Sequence, residues 1–250
     1  MPPRYEVIGV EGLPEIGTGE DLARLIAHAA AAQRTPLGTG DLLVISQKIV
    51  SKAEGRIVKL SEITPSRETV EMAEGLGRDA RLIEVILRES RRVVRRDKGV
   101  LIVETHQGWI CANAGVDQSN VDADTACLLP EDSDRSARAL RDGLKALTGH
   151  DLGIIIADTF GRPWREGLTN VAIGVAGLEP LKSYLGEKDP AGHVLQATIL
   201  ALADELASAA EPIMGKLDRI PVVIIRGLDW PRGESGSRPL LRDPARDLFR

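Results

Sequence analysis

The sequence predicts an α+β protein with mixed sheets and packed helices. Strand-like and helix-like segments alternate irregularly along the chain, without the steady βαβ beat of a doubly wound sheet. No GxxxxGK[ST] or GxGxxG element occurs, so neither a Walker loop nor a dinucleotide fingerprint can be claimed. The 250 residues are 43% apolar and 28% charged, sufficient for a sizeable core in one large domain or two small ones.

The elements follow in order. "YEVIGV" (Tyr5 to Val10) reads as a strand, and "GTGEDLARLIAHAAAAQ" as a helix over Glu20 to Gln33 capped by Thr18. "DLLVISQKIV" is a short apolar strand that emerges into polar residues, and "SKAEGRIVKL" turns at Gly55 into the next strand. Two helices fill Ser66 to Glu89. "RRVVRR" and "GVLIVETHQG" follow as strands, the first a strand with solvated basic edges and, alternatively, an attractor of anionic substrate. "DSDRSARALRDGLKALTG" is a helix capped by Ser133 or Asp134 and stopped by Gly149. "DLGIIIADT" is a buried strand ending on polar atoms. "VLQATILALADELASAAEPIMG" is a long alanine-rich helix, and "PVVIIRG" the last strand. The Pro-, Gly- and Arg-rich stretch 231–250 is expected to be a loosely ordered tail.

Composition excludes several function classes. A formal charge of -5 argues against a general nucleic-acid binder. Charges interrupt every long apolar run, so no membrane span is expected, and the N-terminus lacks a secretory pattern. Cys111 and Cys127 are the only cysteines and read as reduced thiols of a cytoplasmic protein, with a lone disulfide as the alternative. Without CxxC or HExxH spacing, any metal should be a hard one bound by oxygen.

Three stretches carry candidate chemistry. "GIIIADT" delivers Asp158 and Thr159 at the mouth of a buried strand, a pair that suits a divalent ion or an ordinary polar turn. "ANAGVDQSNVD" crowds Asn113, Asp117, Ser119, Asn120 and Asp122 into one loop, fit for a hard cation, for ribose and phosphate, or for tight turns. "SQKIVSKAEGR" spaces Lys48 and Lys52 four apart, as phosphate-binding point charges or surface lysines. In "DTFGRPWREGLTNVAIGVAG", Arg162 and Arg165 flank Pro163 and Trp164. Their guanidinium groups suit phosphate or carboxylate, or staple the loop to Glu166 or Asp158. His106 reads as a structural histidine or a general base. Asp204 and Glu205 lie at a helix's solvent edge or point into a site.

Together "GLPEI", "DLLVISQKIVSKAEGR", "ETHQGWICANAGVDQSNV", "LLPEDSDRSA", "DTFGRPWREGLTNVAIGVAG", "LADELASAAEPIMGK" and "PVVIIRG" resemble the coenzyme F420-0:L-glutamate ligase (F420 gamma-glutamyl ligase) family, in family order and over nearly the whole chain. The resemblance implies an unusual two-lobed α+β fold over residues 1–250, a single ligase domain, and an intertwined homodimer. It implies a GTP-dependent ligase that joins L-glutamate to the terminal carboxylate of F420-0, and further γ-linked glutamates, with Mg2+ or Mn2+ and with K+ as an additional ion. Carried over, Leu13, Pro14, Glu15 and Ile16 form part of the guanine nucleotide site. Lys52 and Asn120 contact the nucleotide, with Gln47 and Lys48 beside it, and Asp117, Asp158 and Thr159 match metal-binding positions. Arg162 and Arg165 are assigned to substrate or to the transferring phosphoryl group. The chain departs from archaeal members at "SQK", where they carry a Ser-Thr pair, and in the shorter "MGKLDRIP". The competing readings are a metal-dependent phosphohydrolase and a nucleotide-binding regulatory module.

Overall fold

The computed structural model describes residues 2–97 and 99–247. In chain order its elements begin with β1 (Glu6–Gly9), α1 (Leu22–Ala32), β2 (Leu42–Ser46), α2 (Gln47–Ala53) and β3 (Ile57–Lys59). There follow α3 (Arg67–Leu76), α4 (Ala80–Arg88), β4 (Ser90–Asp97), β5 (Val100–Thr105), β6 (Ile110–Ala112) and β7 (Thr125–Cys127). The second half contains α5 (Ser133–Thr148), β8 (Gly153–Arg162), β9 (Arg165–Ala176), β10 (Lys182–Ser183), β11 (Ile199–Leu200), α6 (Leu202–Met214) and β12 (Val222–Arg226). The α+β class expected from the sequence is what the chain adopts.

One five-stranded sheet, in the order β1-β12-β2-β8-β9, organises the molecule. Only β2 and β8 run parallel; the other pairs are antiparallel. Because strand side chains alternate between faces, the aliphatic runs divide. Leu43, Ile45, Ile154, Ile156, Val222 and Ile224 face α1 and α5, whereas Leu42, Val44, Ile155, Val223 and Ile225 face α6. Strands buried on both faces need continuous apolar runs, as "LLVI", "GIII" and "VVII" provide. A separate cluster joins α3 and α4 to β3, β5 and β7 through Leu60, Ile83, Ile86, Leu101, Val103 and Ala126.

Several local expectations are corrected. Asp21, not Thr18, caps α1, its carboxylate accepting the Arg24 N–H at 3.1 Å. Asp132 caps α5, accepting from Arg135 N–H at 2.9 Å, while Asp134 is drawn away to accept the Val175 N–H at 2.8 Å. Gly149 does end α5, in the left-handed region. The helix expected from Val194 begins only at Leu202, because the preceding residues pair with 182–188: Leu195 N–H donates to Glu187 and Tyr184 N–H to Thr198. Beyond β2 the chain folds immediately into α2, about two turns of helix that the strand reading did not anticipate.

The residues after Trp230 make specific contacts. Arg232 stacks on the Trp230 ring at 3.3 Å, Ser235 donates to Glu179, and the buried Ser237 donates its N–H to Asp134 at 2.9 Å. Arg141 pairs with both Asp151 and Glu234. Residues 248–250 of the expected tail lie outside the described residues.

Candidate active site

The parallel pairing of β2 and β8 sets their carboxyl ends side by side, with Ser46 opposite Ala157. Open sheets bind ligands at this edge. From β2 the chain enters α2 with Gln47 and Lys48; from β8 it continues into Asp158 and Thr159. Lys48 and Lys52 stand one helical turn apart on α2, so their ammonium groups share a side.

Lys48 gathers the acidic loop. Its Nζ donates to Asp117 Oδ2 at 2.6 Å, to Ser119 Oγ at 2.7 Å and to the Ser119 carbonyl at 2.8 Å. The loop is held from below, where Asp117 and Cys127 exchange backbone hydrogen bonds. Its entry is strained: Asn113, Ala114 and Gly115 are all left-handed, with φ of 56°, 54° and 70°. A Cβ on Gly115 would meet the Leu129 side chain at 2.7 Å, so glycine is required there on both counts.

The two carboxylates feel one another and differ in character. Burial alone would raise the Asp117 carboxyl, but Lys48 and Ser119 outweigh it and hold it below the ordinary range. Burial, and then the negative charge of Asp117, push half-buried Asp158 up to about 6, against the Thr159 N–H, Lys48 and Lys216. Asp158 is therefore a carboxylate short of positive charge. Cys111 is driven to about 12 by burial and by the Asp158 charge, which leaves its thiol protonated and unsuited to nucleophilic work.

Thr159 opens a second polar group. Its hydroxyl donates to Asn170 Oδ1 at 2.7 Å, and Lys216 Nζ donates to the Thr159 oxygen at 2.8 Å. Asn170, buried on β9 directly opposite Thr159, donates to Glu211 at 2.7 Å. Lys216 closes the ring on Glu211 at 2.8 Å.

The other sequence-selected residues distribute as follows. Leu13 lines a cavity of about 300 Å³ with Glu11, Gly12, Asp218, Arg219 and Ile220. Pro14 is exposed beside it. Glu15 forms an ion pair with Lys52, whereas Ile16 turns its side chain into the core. Gln47 is buried and accepts from Ser51 at 2.9 Å. Asn120 is exposed, with a left-handed φ of 54°. Arg162 and Arg165 face each other at the end of a hairpin that outruns the rest of the sheet, since β2 pairs with β8 only as far as Ala157. Four residues of strand, about 13 Å, separate Arg162 from Asp158, and Arg162 bonds the Glu166 carbonyl at 2.8 Å rather than either expected carboxylate. Asp204 accepts the Ala172 N–H at 2.9 Å within the fold, and His106 bonds the Arg88 carbonyl at 2.9 Å.

Sequence reasoning thus singles out Asp117, Asp158, Thr159 and Lys48 and misses Asn170, Glu211 and Lys216. The one local signal for Asn170 is its place in β9 immediately before the apolar run from Val171 to Ala176. Among the described residues no three His, Cys, Asp or Glu side chains cluster. Two carboxylates, one of them under-neutralised, nevertheless fit a Mg2+- or Mn2+-type ion, which takes one or two carboxylates and draws its remaining ligands from water and phosphate.

Fold and site together set carboxylates and ammonium groups at the carboxyl edge of a sheet, with no thiol suited to attack. Comparison with known proteins is specific. The F420-0:Gamma-glutamyl ligase family model matches residues 12–227. The chain is 48% identical over 247 residues to the coenzyme F420:L-glutamate ligase of Methanothermobacter thermautotrophicus, covering 98% of both chains. It is 46% identical to that of Methanopyrus kandleri over 94% of both chains, and 42% identical to that of Methanocaldococcus jannaschii over 99% of this chain and 97% of the relative. The chain belongs to the F420-0:gamma-glutamyl ligase family. Among the described residues no helix is long and apolar enough to cross a membrane.

Proposed function

We propose that this chain is a coenzyme F420-0:L-glutamate ligase that uses GTP, and that it adds further γ-linked glutamates to its own product. The observation that carries the proposal is the meeting of Asp117, Asp158 and Lys48 at the carboxyl ends of β2 and β8 in a chain of this family.

The chemistry demands activation, because an amine cannot displace oxide from a carboxylate. In the proposed route an oxygen of the F420-0 carboxylate bonds to the γ-phosphorus of GTP while the bond from phosphorus to the bridging oxygen breaks, releasing GDP. The glutamate nitrogen then bonds to the acyl carbon of the resulting acyl phosphate, the carbon–oxygen bond to phosphate breaks, and phosphate leaves as the nitrogen sheds a proton. No protein nucleophile is needed, so catalysis rests on positioning and charge. Lys48 and Lys52 serve as phosphate-facing point charges, fixed by Asp117 and Glu15. Leu13 to Ile16, Gln47 and Asn120 are assigned to the nucleotide, with the cavity beside Leu13 receiving part of it. Asp117, Asp158 and Thr159 would hold Mg2+ or Mn2+, which when bound neutralises phosphate oxygens; K+ is an accessory ion in this reading.

Arg162 and Arg165 are assigned to the anionic acceptor or the phosphoryl group, on an arm whose tip also exposes Trp164 and Leu168. That apolar pair supports pairing of two copies, and light scattering should return twice the 26.9 kDa chain mass. The deciding experiment is mass spectrometry of products from purified protein, GTP, glutamate, F420-0, Mg2+ and K+. A glutamylated product supports the proposal. Phosphate released with no dependence on glutamate indicates a phosphohydrolase, and no turnover of any kind indicates a binding module.

A further inference from the structure

The ring of Thr159, Asn170, Glu211 and Lys216 contains a cation of the protein's own. Lys216 follows Gly215 at the end of α6, where φ is 56° and an added Cβ would strike Asp218 Oδ2 at 2.0 Å. This turn, open to glycine alone, folds Lys216 back over its own helix to Glu211 and across to β8. The Thr159 hydroxyl spends its proton on Asn170 and directs a lone pair at the ammonium. A metal-binding hydroxyl would direct that lone pair at the ion. The Lys216 side chain is 61% exposed, on the solvent side of the ring, where a phosphate oxygen can approach it.

We propose that Lys216 is a built-in cation: its ammonium holds the place beside Thr159 that a second divalent ion would need, so the site takes a single divalent ion, at Asp117 and Asp158. The inference rests on the nucleotide- and metal-dependent reading above and narrows it. Thr159 thereby passes from metal ligand to anchor of a lysine that faces the triphosphate. A dication and an ammonium cannot share one hydroxyl without strong repulsion, so the stoichiometry of metal is the quantity to measure.

The test counts Mn2+ bound per chain, by electron paramagnetic resonance of free Mn2+, with a non-hydrolysable GTP analogue present. The wild-type protein should bind one Mn2+. Lys216→Gln, which removes the charge and offers an oxygen, should bind two, and Lys216→Arg should stay at one. Asp158→Asn should abolish the single wild-type ion. Two ions in the wild type, or one in Lys216→Gln, would overturn the inference while leaving the ligase reading intact. No Mn2+ in any form would overturn the metal-dependent reading itself, and this inference with it. Circular dichroism of each variant confirms that the count refers to folded protein.

Discussion

Asp158 carries the sharpest expectation at the scale of single residues. Its carboxyl is raised to about 6 by burial and by Asp117, so a divalent ion has an uncompensated negative charge to meet. Asp158→Asn should lower ligase turnover by at least a hundredfold with little loss of thermal stability; turnover within threefold of wild type would remove this residue from the site. Arg162→Ala and Arg165→Ala should each reduce turnover about tenfold or more, a loss of roughly 1.4 kcal/mol or more of transition-state stabilisation, with an unchanged circular dichroism spectrum. Wild-type kinetics in both would end their assignment to the acceptor or phosphoryl group. The acids at the strand ends were legible in the sequence because "GIIIADT" breaks from an unbroken aliphatic run into a carboxylate and a hydroxyl. Their partnership was not. It depends on β2 lying parallel to β8, a pairing between segments more than a hundred residues apart. Asn170 meets Thr159 only through the register of a hairpin, and Lys216 reaches it only through the turn at Gly215.

At the scale of elements, α3 and α4 are tied by one carboxylate. Glu84 on α4 accepts the Ser66 N–H at 3.0 Å and the Thr69 hydroxyl at 2.7 Å, and it also receives Arg88 at 3.0 Å. The Ser66 N–H, then the Thr69 hydroxyl, and Arg88 after them lower its carboxyl below the ordinary range against the opposing effect of burial. A lowered folded pKa means that the ionised form stabilises the fold. That contribution is complete above the unfolded value of about 4.3 and disappears as pH falls through the folded value. Glu84→Gln should therefore cost about 1.5 kcal/mol at pH 7, and denaturant melts should show the gap narrowing below pH ~4.5. The close approach of β9 to α5 offers a second test. A Cβ on Gly174 would lie 2.4 Å from the Ser133 carbonyl oxygen, which belongs to rigid backbone. Gly174→Ala should destabilise the protein by about 3 kcal/mol; a loss below 1 kcal/mol would show that helix and strand separate easily. Elements with a full period, such as α5 and β8, were readable from sequence, whereas α2 has seven residues, too few to declare helical spacing after an apolar strand. The α5 cap was misplaced because Asp132, Ser133 and Asp134 are all competent, and Asp134 is drawn away by the N–H groups of Val175 and Ser237.

For the whole molecule, the three apolar clusters show why local reading succeeds for the class and falls short of the topology. The unbroken apolar runs of β2, β8 and β12 declare two buried faces, yet nothing local specifies that α1 and α5 take one and α6 the other. The terminal segment belongs to this scale, because its contacts reach α5 through Asp134 and Arg141 and the segment following β9 through Glu179. Deleting residues 231–250 should lower the midpoint of thermal unfolding by about 5 °C or more, since one kcal/mol shifts a domain of this size by roughly 2–4 °C; an unchanged midpoint would show those contacts to be idle. The projecting hairpin has an optical consequence. Trp109 and Trp230 are sealed at 8% and 4% exposure, whereas Trp164 at the hairpin tip stands 79% exposed. Red-edge emission from this chain is thus dominated by one indole, and whatever covers that tip will announce itself as a blue shift and as protection from acrylamide quenching, with no label attached.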